Sequence, residues 1–157
     1  MLELQLDAGH WRMSVRLPRS LSGWTMAVFG AMAFVLGLVG LVAPDAQLAM
    51  LDFVAVDPGQ RASGDYTRVF MTASSMASVN MGVYYVLAAA VDFRAFFFWT
   101  VPFRLVTFTV FTTLVLTDVA PGSFIGVGLW EGVGALVTGA ALWRERRARA
   151  AGDAALA

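Results

Sequence analysis

Two ionisable residues stand inside long apolar runs: Arg104, in FFFWTVPFRLVTFTVFTTLVLTD from Phe96 to Asp118, and Glu131, in a glycine-rich run further on. Hydrocarbon offers a guanidinium no water, so the charge has to meet an anion, a carbonyl, a wet cavity or the headgroups. A carboxylate from a neighbouring run is the cheapest answer, and Asn80, in a third run, can hydrogen-bond the resulting pair. Asn80 needs a partner in any case, because no local backbone bond satisfies all the donors and acceptors of its amide in a membrane interior. Three readings of this set stand side by side. Arg104 and Glu131 form a structural ion pair that fixes helix register. Or they form the polar part of a pocket for a lipophilic molecule. Or Glu131 is a general acid or base, its proton affinity set by burial against Arg104, with Arg104 and Asn80 completing a metal-free catalytic set for isomerisation, cyclisation or hydrolysis of a lipophilic substrate.

Other chemistries lack their residues. The chain has no cysteine, and its one histidine, His10, lies outside the apolar runs, so thiolate chemistry, nucleophilic triads, zinc sites and an axial haem ligand have no candidates in them. Neither a metal nor a cofactor is expected. Asp45, Asp52, Asp57 and Asp65 cluster around Arg61 between the first two runs, but their spacing is not that of an EF-hand loop, and they read as a solvated acidic face. The arginines flank apolar runs instead of forming a basic surface with stacking aromatics, so no nucleic-acid partner is expected.

The elements that must position these residues are membrane helices. With 157 residues, 59% hydrophobic, 14% charged and a mean hydropathy of +0.70, the chain has the composition of a single-domain, all-α, multi-pass protein of the cell membrane. Four spans are read at about 21–42, 68–91, 96–117 and 122–143, each near the ~20 residues a bilayer core requires. Residues 1–20, with Arg12, Arg16 and Arg19, are expected at the interface, and the apolar run that follows them is too long for a signal-peptide core and has no convincing cleavage site after it. A short interfacial helix capped by Asp45 runs to Val54 in the first external loop. The brief link Asp92–Ala95 makes the second and third spans an antiparallel hairpin, and Pro102 sits in the first turns of the third. Residues 144–157 form a basic tail, frayed after Arg149.

Four spans leave both termini on one side. The arginines before the first span, in the second link and after the fourth make that side cytoplasmic, and Trp24, Trp99 and Trp143 fall where an aromatic belt belongs. Gly30, Ala33, Gly37 and Gly40 form a small-residue stripe on the first span, and Gly128, Gly132, Ala135 and Gly139 its counterpart on the fourth. The stripes are expected to meet, or to serve a homo-oligomer or a membrane enzyme partner. Asn80, Arg104 and Glu131 fall at similar depth at ~1.5 Å of rise per residue. Around them Tyr84, Tyr85, Trp130, Phe108, Phe111 and Met81 would line a site for a flat lipid, quinone, terpenoid or sterol-like molecule.

The run NMGVYYVLAAAVDFRAFF, then TVPFRLVTFTVF, TD and WEGVGALVTGA, resembles the DoxX-like group of small four-helix bacterial membrane proteins over roughly Arg68 to Trp143. Its marks are the small-residue and tyrosine pattern from Gly82 to Tyr85, Arg104, Asp118 and Glu131. The resemblance implies a four-helix bundle of the inner membrane and leaves activity open, since members differ in role. Asp118 joins the ligand-binding candidates as one of those marks.

Overall fold

The computed structural model describes residues 17–156, and among them every regular element is helical. Helix α1, Leu21–Val42, begins where Ser20 takes an extended backbone and its hydroxyl accepts the Gly23 N–H at 3.0 Å. Pro44, fixed in φ and without an N–H, opens α2, Pro44–Met50, one residue after α1 ends. Two expectations are corrected here. Helix α2 stops short of Val54, and Asp45 does not cap it: its carboxylate takes Arg68 of the next long helix at 2.6 Å. The long helices α3, Thr67–Ala90, α4, Arg94–Leu116, and α5, Ile125–Leu156, follow.

One device ends three helices. Asp52, Asp92 and Asp118 adopt left-handed φ of 59°, 50° and 56° just past α2, α3 and α4. In each case two amides fold back onto the last turn: Asp52 and Phe53 onto Ala49 and Leu48, Asp92 and Phe93 onto Ala89 and Ala88, Asp118 and Val119 onto Val115 and Leu114. This is the Schellman closure, usually built on glycine. Aspartate is one of the few other residues that tolerate the conformation.

Three helices, α1, α4 and α5 with the short turn leading into it, are long and apolar enough to cross a membrane. Helix α3 has the length, 24 residues, but Thr72, Ser74, Ser75, Ser78 and Asn80 dilute its apolar content. Helix α5 also outruns its expected end. It continues through the tail to Leu156, because alanine and arginine are strong helix formers and Arg147 stacks on Trp143 at 4.0 Å.

The helices run alternately up and down. At one end Ser20 and Ser22 of the α1 start bond Asp92 of the α3–α4 turn and Glu145 of α5. At the other, the Ser123 hydroxyl donates to the Leu51 carbonyl at 2.7 Å and Phe53 packs on Phe124. The expected meeting of the two glycine stripes does not occur. Gly30 and Gly37 of α1 instead take α3, where a Cβ on Gly30 would fall 2.8 Å from the Gly82 carbonyl and one on Gly82 would fall 2.6 Å from the Gly30 carbonyl. The α5 stripe takes α4, with Gly132 seated on the Phe108 ring. The bundle is therefore two close pairs, α1 with α3 and α4 with α5, and the consecutive helices α3 and α4 touch mainly near their turn, through Tyr85, Phe93 and Phe96. Met26, Phe29, Tyr85, Ala88, Ala89 and Phe97 form the core where the pairs join.

Candidate functional site

Arg104 is the only charged side chain buried in the described bundle, 3% exposed. Helix α4 delivers it into the seam between the two pairs. Its Nε donates to Glu131 Oε2 of α5 at 3.0 Å, and its Cζ lies 3.4 Å from the centre of the Phe29 ring of α1. The guanidinium also rests against Gly134, where any Cβ would collide with Nη2. An aromatic face suits a cation because its quadrupole is negative there. It accepts no conventional hydrogen bond, however, and both Nη groups are buried without a partner among the described residues. Of five N–H donors, one is matched. Glu131 is the more open member of the pair, its side chain 20% exposed, and its second oxygen accepts no hydrogen bond among the described residues.

Behind the Phe29 ring lies a groove. It occupies about 620 Å³ between α1 and α5, within the size range of small-molecule sites, and its lining is nearly all apolar: Trp24, Val28 and Met32 face Leu129, Trp130 and Val133. Phe29 and Gly134 line it as well, so the two residues that hold the guanidinium are also walls of the groove. Trp130 stacks on Phe29 at 4.9 Å with an 18° interplanar angle, and the Thr25 and Thr138 hydroxyls, 3.1 Å apart, join α1 to α5 at its edge.

The sequence-derived residues divide sharply by face. Arg104, Glu131, Trp130 and Tyr85 come together: Tyr85 is 5% exposed and packs 5.4 Å from Phe29. Phe108 fills the α4–α5 seam under Gly132. Phe111 packs on Phe124 near the far end, 5.2 Å between ring centres, away from the pair. Asn80, Tyr84 and Met81 lie on the exposed side of α3, Tyr84 at 56%, and Asn80 makes no hydrogen bond to the pair. The reason is the Gly82 crossing. It fixes which side of α3 meets α1, and position 85 shares that side whereas 80, 81 and 84 do not. Asp118 is exposed in the turn after α4, where its backbone closes the helix.

Several contributors carried no clear sequence signal. Phe29 and Gly134 read as ordinary span residues, although a glycine three positions after Glu131 is the gap a guanidinium needs. Glu145 was hidden in a basic run. Its Oε1 accepts the Ser22 amide at 2.8 Å, and its Oε2 accepts the Ser22 hydroxyl at 3.0 Å and Arg94 Nη1 at 2.8 Å. It thus caps α1 from α5. Burial alone would raise this carboxyl, but the Ser22 amide and hydroxyl and the charge of Arg94 outweigh it and hold it below the usual carboxylate range. Comparison with protein-family models, with curated proteins and with solved structures finds no match for the chain.

Proposed function

We infer that the chain is a small four-span membrane protein, of the kind the DoxX-like resemblance implies, that binds a lipophilic small molecule in the α1–α5 groove. Both termini are cytoplasmic in this reading. The arginines support that orientation, since the contacts gather the α1 start, Arg94 and the α5 extension at one end. The ligand is lipid-, quinone-, terpenoid- or sterol-like: an apolar body for the groove, with an oxygen to meet the guanidinium.

The observation that carries the reading is the pair of unmatched Nη groups. A structural ion pair is stable in a low-dielectric interior when its remaining donors are also satisfied. Here Arg104 is held by one hydrogen bond and one ring, beside a groove that a ligand's carbonyl, hydroxyl or carboxylate could enter by turning that ring aside. Scaffolding through the glycine stripes is less well supported, because Gly30, Gly37, Gly128 and Gly132 are already buried inside the bundle.

Purification in mild detergent followed by mass spectrometry of the organic extract tests this. Wild-type protein should carry a stoichiometric lipophile, and Val133→Trp, which fills the groove without touching Arg104, should lose it while keeping its fold. No lipophile in wild type, or equal amounts in both, would overturn the reading. The catalytic alternative, Glu131 as general acid or base of a membrane-embedded isomerase, cyclase or hydrolase, draws on the one uncommitted oxygen of the more open partner. Under it, Glu131→Gln retains the bound molecule and abolishes its conversion.

A further inference from the structure

One stripe on the outer face of α3 carries polar groups that lipid would leave without partners. All five Ser and Thr hydroxyls of this helix are satisfied: Thr67 on Asp65, Thr72 on the Arg68 carbonyl, Ser74 on the Met71 carbonyl, Ser75 on Gln47 and Ser78 on the Ala33 carbonyl. Asn80 and Tyr84 are the polar side chains left on that face, and neither forms a side-chain hydrogen bond among the described residues. They do not stand alone. Ala73, Ala77, Asn80, Tyr84 and Leu87 are all exposed and recur at alternating spacings of four and three, opposite the side on which Ser75, Gly82, Tyr85 and Ala89 meet α1. That alternation is the seam of two helices packed at a shallow left-handed angle, with small residues where the backbones come close and one amide in the middle.

We propose that this seam joins two copies of the chain into a parallel, two-fold symmetric dimer, with the Asn80 amides bonded to each other. The choice of occupant follows from the amide. It carries a donor and an acceptor in one group, so it is its own electrostatic complement, and the same residue on a second copy satisfies both. Copies inserted with one topology are related by an axis along the membrane normal. That symmetry keeps the two α3 helices parallel and sets Asn80 opposite Asn80 at equal depth. No charged residue lies on the seam to oppose the pairing. A single polar residue at such a position fixes register, and the pairing also accounts for the place of α3, the one long helix that lacks an apolar stretch sufficient by itself to cross a membrane: its outer stripe meets protein.

The proposal rests on the four-span reading, and its test separates the two. The chain has no cysteine, so single cysteines report cleanly. Oxidation in native membranes should cross-link Ala73→Cys, Ala77→Cys and Tyr84→Cys into dimers, whereas Met81→Cys and Val83→Cys on the flanks of α3, and Val106→Cys on α4, should stay monomeric. Asn80→Leu should weaken association in detergent by about tenfold with helix content unchanged. Cross-linking that ignores position, or seam cysteines that are shielded yet never cross-link, would overturn the dimer and leave the four spans intact. Ready labelling of Ala77→Cys by a membrane-impermeant maleimide would put α3 outside the bilayer and overturn both.

Discussion

Arg104 is a buried cation most of whose donors have no partner among the described residues. Its charge is neutralised by Glu131 at 3.0 Å, its plane is covered by Phe29, and two of its nitrogens have no hydrogen-bond partner among the described residues. Removing one member of such a pair strands the other charge in a low-dielectric seam. Arg104→Gln and Glu131→Gln should therefore each cost about 3–5 kcal/mol of stability. Replacing both together, Arg104→Met with Glu131→Leu, should recover most of that loss, since an apolar pair of similar volume needs no partners. Thermal unfolding in detergent measures the cycle. The same double variant distinguishes a structural pair from a ligand-binding one: it should fold yet carry no lipophile, and a double variant that still retains the molecule would place the ligand's recognition elsewhere in the groove.

Among the helices, packing is decided by glycines, and this is where sequence reading loses its grip. A glycine marks a close approach without saying to what, because it has no side chain to carry the identity of its partner. Gly30 and Gly132 were legible as packing sites, but their assignment to each other fails: Gly30 receives the backbone of α3 at Gly82, and Gly132 receives the Phe108 ring. The limits of α1, the apolar character of α4 and α5, and the similar depth of Arg104 and Glu131 were readable, since each depends on hydropathy and position along one helix; that the two side chains face each other depends on helix rotation and was not. The side of α3 was not. Asn80 and Tyr84 share a face with each other but not with Gly82, and only the α1 crossing makes that distinction matter. The three aspartate helix stops were equally hidden, because the usual signal at those positions is glycine. Gly82→Leu should accordingly separate α1 from α3 and cost about 3 kcal/mol or more. Gly139→Ala, whose Cβ would meet only Val101 at an ordinary 3.5 Å, should be tolerated. Paired unfolding measurements on these two variants test whether the α1–α3 crossing carries the bundle.

At the scale of the whole molecule, the two helix pairs are held in register by polar contacts at one end as well as by the core between them. Glu145 receives the first turn of α1 and the Arg94 guanidinium, and Arg94 in turn reaches Asp92, which accepts the Ser20 hydroxyl at 2.6 Å. One acid of α5 therefore connects the start of α1 to the start of α4, so that protonating it loosens three helices at once. The sign follows from the direction of its shift. A carboxyl held below its ordinary range in the folded protein contributes stability that is complete above the unfolded pKa, about 4.3, and is lost as pH falls through the lower folded value. Wild-type protein should keep its unfolding temperature from neutrality to about pH 5 and lose it progressively below about pH 4. Glu145→Gln should begin about 2 kcal/mol less stable at neutral pH, as befits the loss of hydrogen bonds to a charged acceptor, and should show a flatter acid limb. Unfolding curves taken across that range in detergent decide the matter: if the variant and the wild type run parallel down to pH 3, the acid sensitivity of the bundle has another source, and the contacts around Glu145 order the chain ends without joining the two helix pairs.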